Sequence, residues 1–176
     1  RNTDQANFSM LNLLDSHDTP RFLNECGGDI NRLIAAAVFQ YSYPGMPCTY
    51  YGTEIGMTGA MDRTAAPPSI GTGGIGTSPC SSCIKADPGP SPVRGAAKGY
   101  APVLFPSEVF AMKRATATET VLTAINQTDA PQTYTLPLAG QGTDLLEGEV
   151  YESTGGSLSI PLAPGAAALV RLEPTA

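Results

Sequence analysis

Residues 11–22 read LNLLDSHDTPRF. An apolar run ends abruptly in Asp15, His17 and Asp18, three groups that are costly to bury without partners. The run that leads into them, FSMLNLL at 8–14, has the length and mostly apolar character of a strand covered on both faces in a parallel sheet. Polar residues follow to position 29, and NRLIAAAVFQY at 31–41 then supplies good helix formers, with Asp29 or Asn31 as N-cap and Pro44-Gly45 as the stop. MPCTYYG at 46–52 gives a second short strand. Strand, helix and strand in this span make a βαβ unit with a right-handed crossover.

In parallel α/β folds the working groups sit on loops at the carboxyl ends of strands, which is where Asp15, His17 and Asp18 fall. A carboxylate there can stabilise positive charge developing at an anomeric carbon, and a neutral imidazole can hydrogen-bond a sugar hydroxyl. The same residues also suit an ordinary surface turn, with Asp15 capping it, Asp18 capping a 3₁₀ segment and His17 solvated. Three residues of SHD do not decide between the two.

Composition limits the partners. The net charge is −6 and no basic cluster is present, which argues against nucleic acid and anionic membrane surfaces. No apolar run reaches the roughly 18 residues of a membrane helix, and no basic-then-apolar leader opens the chain. The chain starts at Arg1 rather than Met, as a cut or processed start would, and the compartment stays open with the cytoplasm slightly favoured. Cys26, Cys48, Cys80 and Cys83 are too few for a disulfide scaffold. The CSSC pair lacks further zinc ligands near it and sits among Pro and Gly rather than opening a helix. Neither a cofactor nor a metal is expected.

Three zones differ in texture. Residues 1–60 are α/β. Residues 61–107 carry much of the chain's 19 Gly and 16 Pro, with no apolar period of either kind, and should be irregular. Residues 108–176 return to short strands, EVFAMKR, TVLTAIN, QTYTLPL, GEVYE, SLSIPL and AALVRLE, separated by turns. That pattern indicates a small antiparallel sandwich or barrel, with Val121, Leu122, Val150, Leu158, Ile160 and Val170 among its core. Asn126 opens an NQT glycosylation pattern, read here as a hairpin turn.

LLDSHDTPRF followed by YPGMPCTYYGTEIGMTG resembles the last two strand-loop units of the α-amylase family, glycoside hydrolase family 13, and within it the neopullulanase, cyclomaltodextrinase and maltogenic amylase group. The resemblance implies the end of a TIM-type β/α barrel followed by a β-sandwich. It implies that Asp18 is the transition-state-stabilising carboxylate, that His17 binds the sugar in subsite −1, and that Arg21 and Tyr51 join the substrate-binding set. The partner implied is an α-glucan oligosaccharide, and the parent assembly a homodimer. Within the family's GxPxIYYGDE pattern this chain has Thr49 for Ile and Thr53 for Asp.

The family's nucleophile and acid/base lie on earlier strands, with no matching positions here, and a complete barrel takes about 250 residues. The chain therefore resembles part of an enzyme, expected to be inactive alone. Two other readings stand beside it: a non-catalytic carbohydrate-binding or structural sandwich, which requires exposed aromatics such as Tyr134 and Tyr151, and a complete small protein using Asp15, His17 and Asp18. The middle zone departs from the family. The peptide NRRAPFHWDRRDWD, of the kind the family carries after YYG, can be back-translated and read one base later as TAAPPSIGTGGIGT, which is residues 64–77. One base lost near Arg63 and one gained before Glu108 would account for the absent Trp, the excess Gly and Pro, and CSSC.

Overall fold

The computed structural model describes residues 9–59, 101–102 and 108–174. The chain divides into two compact units, Arg1–Lys85 and Ala86–Ala176.

In the first unit, β1 (Leu11–Leu13) pairs in parallel with β2 (Met46–Cys48), Leu11 opposite Met46 and Leu13 opposite Cys48. A short helix α1 (Phe22–Glu25) and the longer α2 (Ile30–Ser42) connect them. Asp29 caps α2, accepting from the N–H groups of Asn31 and Arg32 at 2.9 and 3.4 Å. At the other end Tyr43 is already extended, as the residue before Pro44 must be. Gly45 then has φ +130°, and a Cβ there would stand 2.7 Å from Asn12 Nδ2 and 2.8 Å from the Met10 carbonyl. Only glycine lets β2 enter so close beside β1, where Met46 N–H donates to Met10 C=O at 2.7 Å. The second strand ends sooner than MPCTYYG suggests, because Tyr50 C=O accepts from Thr53 N–H and starts a 3₁₀ turn over Thr53–Ile55.

The expectation of a strand buried on both faces is not met within this chain. Leu11, Leu13 and Met46 share one face by register and are 56%, 50% and 57% exposed, so among the described residues that face of the pair is not covered.

The second unit is a two-layer antiparallel sandwich. Its larger sheet has the order β3 (Ala101–Pro102), β4 (Val109–Ala115), β5 (Thr120–Asn126), β10 (Ala167–Pro174), β7 (Gly140–Asp144) and β8 (Val150–Glu152). The smaller pairs β6 (Gln132–Pro137) with β9 (Ser157–Leu162). Val109, Ala111, Leu122, Ala124, Ala168 and Val170 from the larger sheet meet Leu158, Ile160 and Leu162 from the smaller, as period-2 alternation requires.

All six strands expected from the sequence form. β7 was not expected, because GQGTD has little β propensity. Its Gly142 is needed for packing: a Cβ there would lie 2.6 Å from Val170 Cγ1 and 2.9 Å from Leu158 Cδ2. Val150, expected in the core, is 55% exposed on the edge strand β8. In the zone expected to be irregular, Ala101–Pro102 pair with Lys113 and Met112. The rest of 61–107, with Cys80 and Cys83, lies outside the described residues.

Candidate functional site

Beyond β1 the chain folds into a tight polar turn. Ser16 N–H donates to Thr19 Oγ1 at 2.8 Å, and Asp18 N–H donates to Ser16 Oγ at 3.2 Å. This local bonding is what Ser and Thr offer a turn, and it lifts the two residues between them into solvent. The side chains of His17 and Asp18 are 71% and 80% exposed, with Nε2 3.1 Å from Oδ2.

Asp15 turns the other way and is buried. Its Oδ1 accepts from Thr53 Oγ1 at 2.8 Å, and its Oδ2 accepts from Phe22 N–H at 3.1 Å. Asp15 therefore takes the turn-clamping part of the two readings open to it. Asp18 does not cap a 3₁₀ segment, since its carboxylate faces His17. The acid that the family pattern places at position 53 is absent, yet a carboxylate occupies the neighbourhood of Thr53 all the same, supplied by Asp15.

Arg21, which the resemblance puts at the substrate, is 1% exposed. Its Nη1 donates to the Tyr51 carbonyl at 2.6 Å, and its guanidinium carbon lies 4.5 and 4.6 Å from the ring centroids of Tyr50 and Tyr51. A buried cation is tolerable where aromatic faces and a carbonyl replace water. The two rings meet edge to face at 4.6 Å. Tyr50 is half-buried, as packing preference predicts, while Tyr51 is exposed.

The structure thus brings His17 and Asp18 together, and ties Arg21 to Tyr51. It also reveals Thr53 as a partner of Asp15, whose only trace in the sequence is the Thr where the family pattern has an acid. Such a site can present a carboxylate and an imidazole to the hydroxyls of a neutral ligand. Among the described residues, no three His, Cys, Asp or Glu side chains cluster as a metal would need, and no helix is long and apolar enough to cross a membrane. Burial pushes the Cys26 thiol up, away from the reactive thiolate.

Tyr134 and Tyr151, the aromatics a binding sandwich would need exposed, pack instead against the sandwich core. The Tyr151 hydroxyl is engaged by Glu149 and Asp144 at 3.3 and 3.4 Å.

A family model described as the α-amylase catalytic domain matches residues 1–128. A cyclomaltodextrinase of Geobacillus thermopakistaniensis strain MAS1 is 53% identical over 58 residues, covering 33% of this chain and 10% of that protein. Neopullulanase 2 of Thermoactinomyces vulgaris is 51% identical over 67 residues, covering 38% and 12%. The chain spans about a tenth of the length of these relatives. Among solved structures, an Anoxybacillus α-amylase superposes with a TM-score of 0.78 at 23% identity, over 96% of this chain and 39% of that one. A structure titled cyclomaltodextrinase gives 0.76 at 24% identity, over 97% and 30%. These structures share the fold, mostly sheet with few helices in the part matched here, and with the family model over most of its length this chain belongs to the α-amylase family.

Proposed function

We propose that these 176 residues are part of a retaining glycoside hydrolase that acts on α-glucan oligosaccharides. In this reading residues 1–60 are the last two strand-loop units of its β/α barrel, and residues 108–176 are the sandwich that follows. One observation carries it: in a chain of the α-amylase family, His17 and Asp18 stand exposed together beyond the carboxyl end of a parallel strand. Asp18 then stabilises the positive charge that develops at the anomeric carbon, and His17 hydrogen-bonds a hydroxyl of the same sugar. The exposed ring of Tyr51 borders the sugar, and Arg21 acts beneath it. No step calls for a cofactor.

Retaining hydrolysis needs two carboxyl groups roughly 5 Å apart across the scissile bond, and Asp18 cannot serve as nucleophile, acid and stabiliser together. The chain alone is therefore expected to leave maltooligosaccharides, cyclodextrins and pullulan intact; turnover abolished by Asp18→Asn would overturn this. In an enzyme completed with the upstream barrel, Asp18→Asn should cost roughly 2.7 to 4 kcal/mol of transition-state stabilisation, by analogy with other electrostatic stabilisers. A near-normal rate there would remove Asp18 from the mechanism.

A further inference from the structure

Asp15 and Arg21 stand at the two ends of the segment that carries His17 and Asp18, and both fasten onto one distant turn. Asp15 holds the hydroxyl of Thr53, and Arg21 holds the carbonyl of Tyr51 while lying against the rings of Tyr50 and Tyr51. Both anchors are buried, whereas Ser16 to Pro20 are exposed or half-exposed. Within that loop the polar contacts among the described residues are local, joining Ser16, Asp18 and Thr19 to one another and His17 to Asp18. None of those contacts reaches outside the loop, whose end is held by the Arg21 N–H donating to the Gly59 carbonyl at 2.9 Å.

We propose that Asp15 and Arg21 are positioning residues, which pin the Ser16–Pro20 loop to the Tyr50–Gly56 turn and so fix where the Asp18 carboxylate stands. Their importance to catalysis rests on the assignment of Asp18 above, while the pinning itself does not. The chemistry of each anchor suits the task. The oxygens of a carboxylate only accept, so Asp15 can take the Phe22 N–H on Oδ2 and at once the Thr53 O–H, which lies 2.8 Å from Oδ1 and 3.0 Å from Oδ2. A guanidinium is planar and always charged, so Arg21 can lie against two rings and still donate in its own plane to Tyr51. Small errors in the placement of a catalytic group are costly in rate, which is why anchors outside the reacting set matter.

The competing account is that Asp15 only caps α1 through Phe22. Thr53 separates the two, because it reaches Asp15 from 38 residues away, its Oγ1 2.8 Å from Oδ1 and 3.0 Å from Oδ2, and a cap of α1 alone has no need of it.

The test uses the intact chain, in which His17 is the only histidine and gives the only imidazole signals in an NMR spectrum. Thr53→Val should move the His17 ring signals toward their random-coil positions and speed amide exchange at Phe22 by about tenfold or more. Thr53→Ser, which keeps the hydroxyl, should restore both. Arg21→Lys, which keeps the charge but not the planar fork, should displace the same imidazole signals. Should Thr53→Val cost the first unit its fold, seen as loss of the Leu33 amide signal, Arg21→Lys carries the test.

Unchanged His17 signals in the folded variants would overturn the proposal, as would random-coil His17 signals in the unsubstituted chain. None of these readouts involves sugar. Their failure refutes the pinning alone, whereas a fully active Asp18→Asn enzyme refutes the assignment of Asp18 and leaves the pinning standing.

Discussion

The carboxamide of Gln40 donates to the backbone carbonyl of Asn12 at 2.8 Å, and the same nitrogen donates to the Cys48 carbonyl at 2.9 Å. A buried side chain on α2 thus ties the two parallel strands together. Three-residue strands with an exposed apolar face hold each other weakly. Gln40→Leu keeps the bulk but leaves two carbonyls each short of a donor, and should destabilise the first unit by about 1 to 3 kcal/mol. Gln40→Glu should cost more near neutral pH, where a carboxylate would face two carbonyl oxygens, and should recover as acid turns the carboxyl into a donor. Denaturant midpoints of the first unit across pH check both, and equal midpoints for all three chains would count against this role.

Asn126 performs a comparable task in the second unit. Its Nδ2 donates to the carbonyls of Ala130 and Ala163 at 2.8 and 2.9 Å, and its Oδ1 accepts from Thr128 N–H at 2.9 Å and Thr128 Oγ1 at 2.8 Å. It thereby joins the end of β5 to the turn beyond it and to the end of β9. Asn126→Ala strands several of these groups and should lower stability by about 2 to 4 kcal/mol. The same burial closes the NQT pattern to modification of the folded chain. Incubated in its folded state with a glycosylating extract, the protein should gain no glycan mass at Asn126.

The turn after β7 should make stability depend on pH. Burial raises the Asp144 carboxyl above the usual carboxylate range, and the nearby Glu147 adds to the rise. The N–H groups of Leu146 and Leu169 and the Tyr151 hydroxyl hold it down in part. Burial also pushes the Tyr151 phenol up, with Asp144 and Glu149 adding to it. The folded state therefore grips the Asp144 proton more tightly than the unfolded chain does. That contribution is fully present below the ordinary carboxylate pKa and is lost as pH rises through the folded value. Asp144→Asn keeps an acceptor for Leu146 N–H and abolishes the titration. Its stability relative to the unsubstituted chain should grow from acid toward neutral pH; a constant difference across that range would refute the assignment.

What the sequence made legible depended on whether the deciding contact was local. An N-cap at Asp29 or Asn31, which the structure places at Asp29, Pro44-Gly45 as the stop of α2, and the placement of His17 and Asp18 beyond β1 could all be read from neighbours a few residues apart. The strand around Gly142 was not expected, because the reason for that glycine lies in Val170 and Leu158, on other strands. Val150 looked like core, but which face of β8 meets solvent is settled by pairing with β7. Thr53 read as the loss of an acid, because nothing nearby shows that Asp15 brings a carboxylate to the same place. The inward turn of Arg21 was hidden for the same reason, since Tyr50 and Tyr51 stand about thirty residues on.

The remaining expectation concerns residues 64–77, which lie outside the described residues. TAAPPSIGTGGIGT is one frame away from a peptide with two Trp and several Arg and Asp residues. A single shift of frame converts GC-rich codons for Arg, Asp and Trp into codons for Gly, Pro, Ala and Thr, so it would raise Gly and Pro and remove Trp together, as seen in this composition. The coding DNA, read one base earlier from Arg63, should therefore give Trp at two places, and the same frame should continue as an amphipathic helix until a compensating base before Glu108. Resequencing that stretch from genomic DNA checks it. Stop codons in that frame, or no helical apolar period of about 3.6 residues, would leave 61–107 as a native linker.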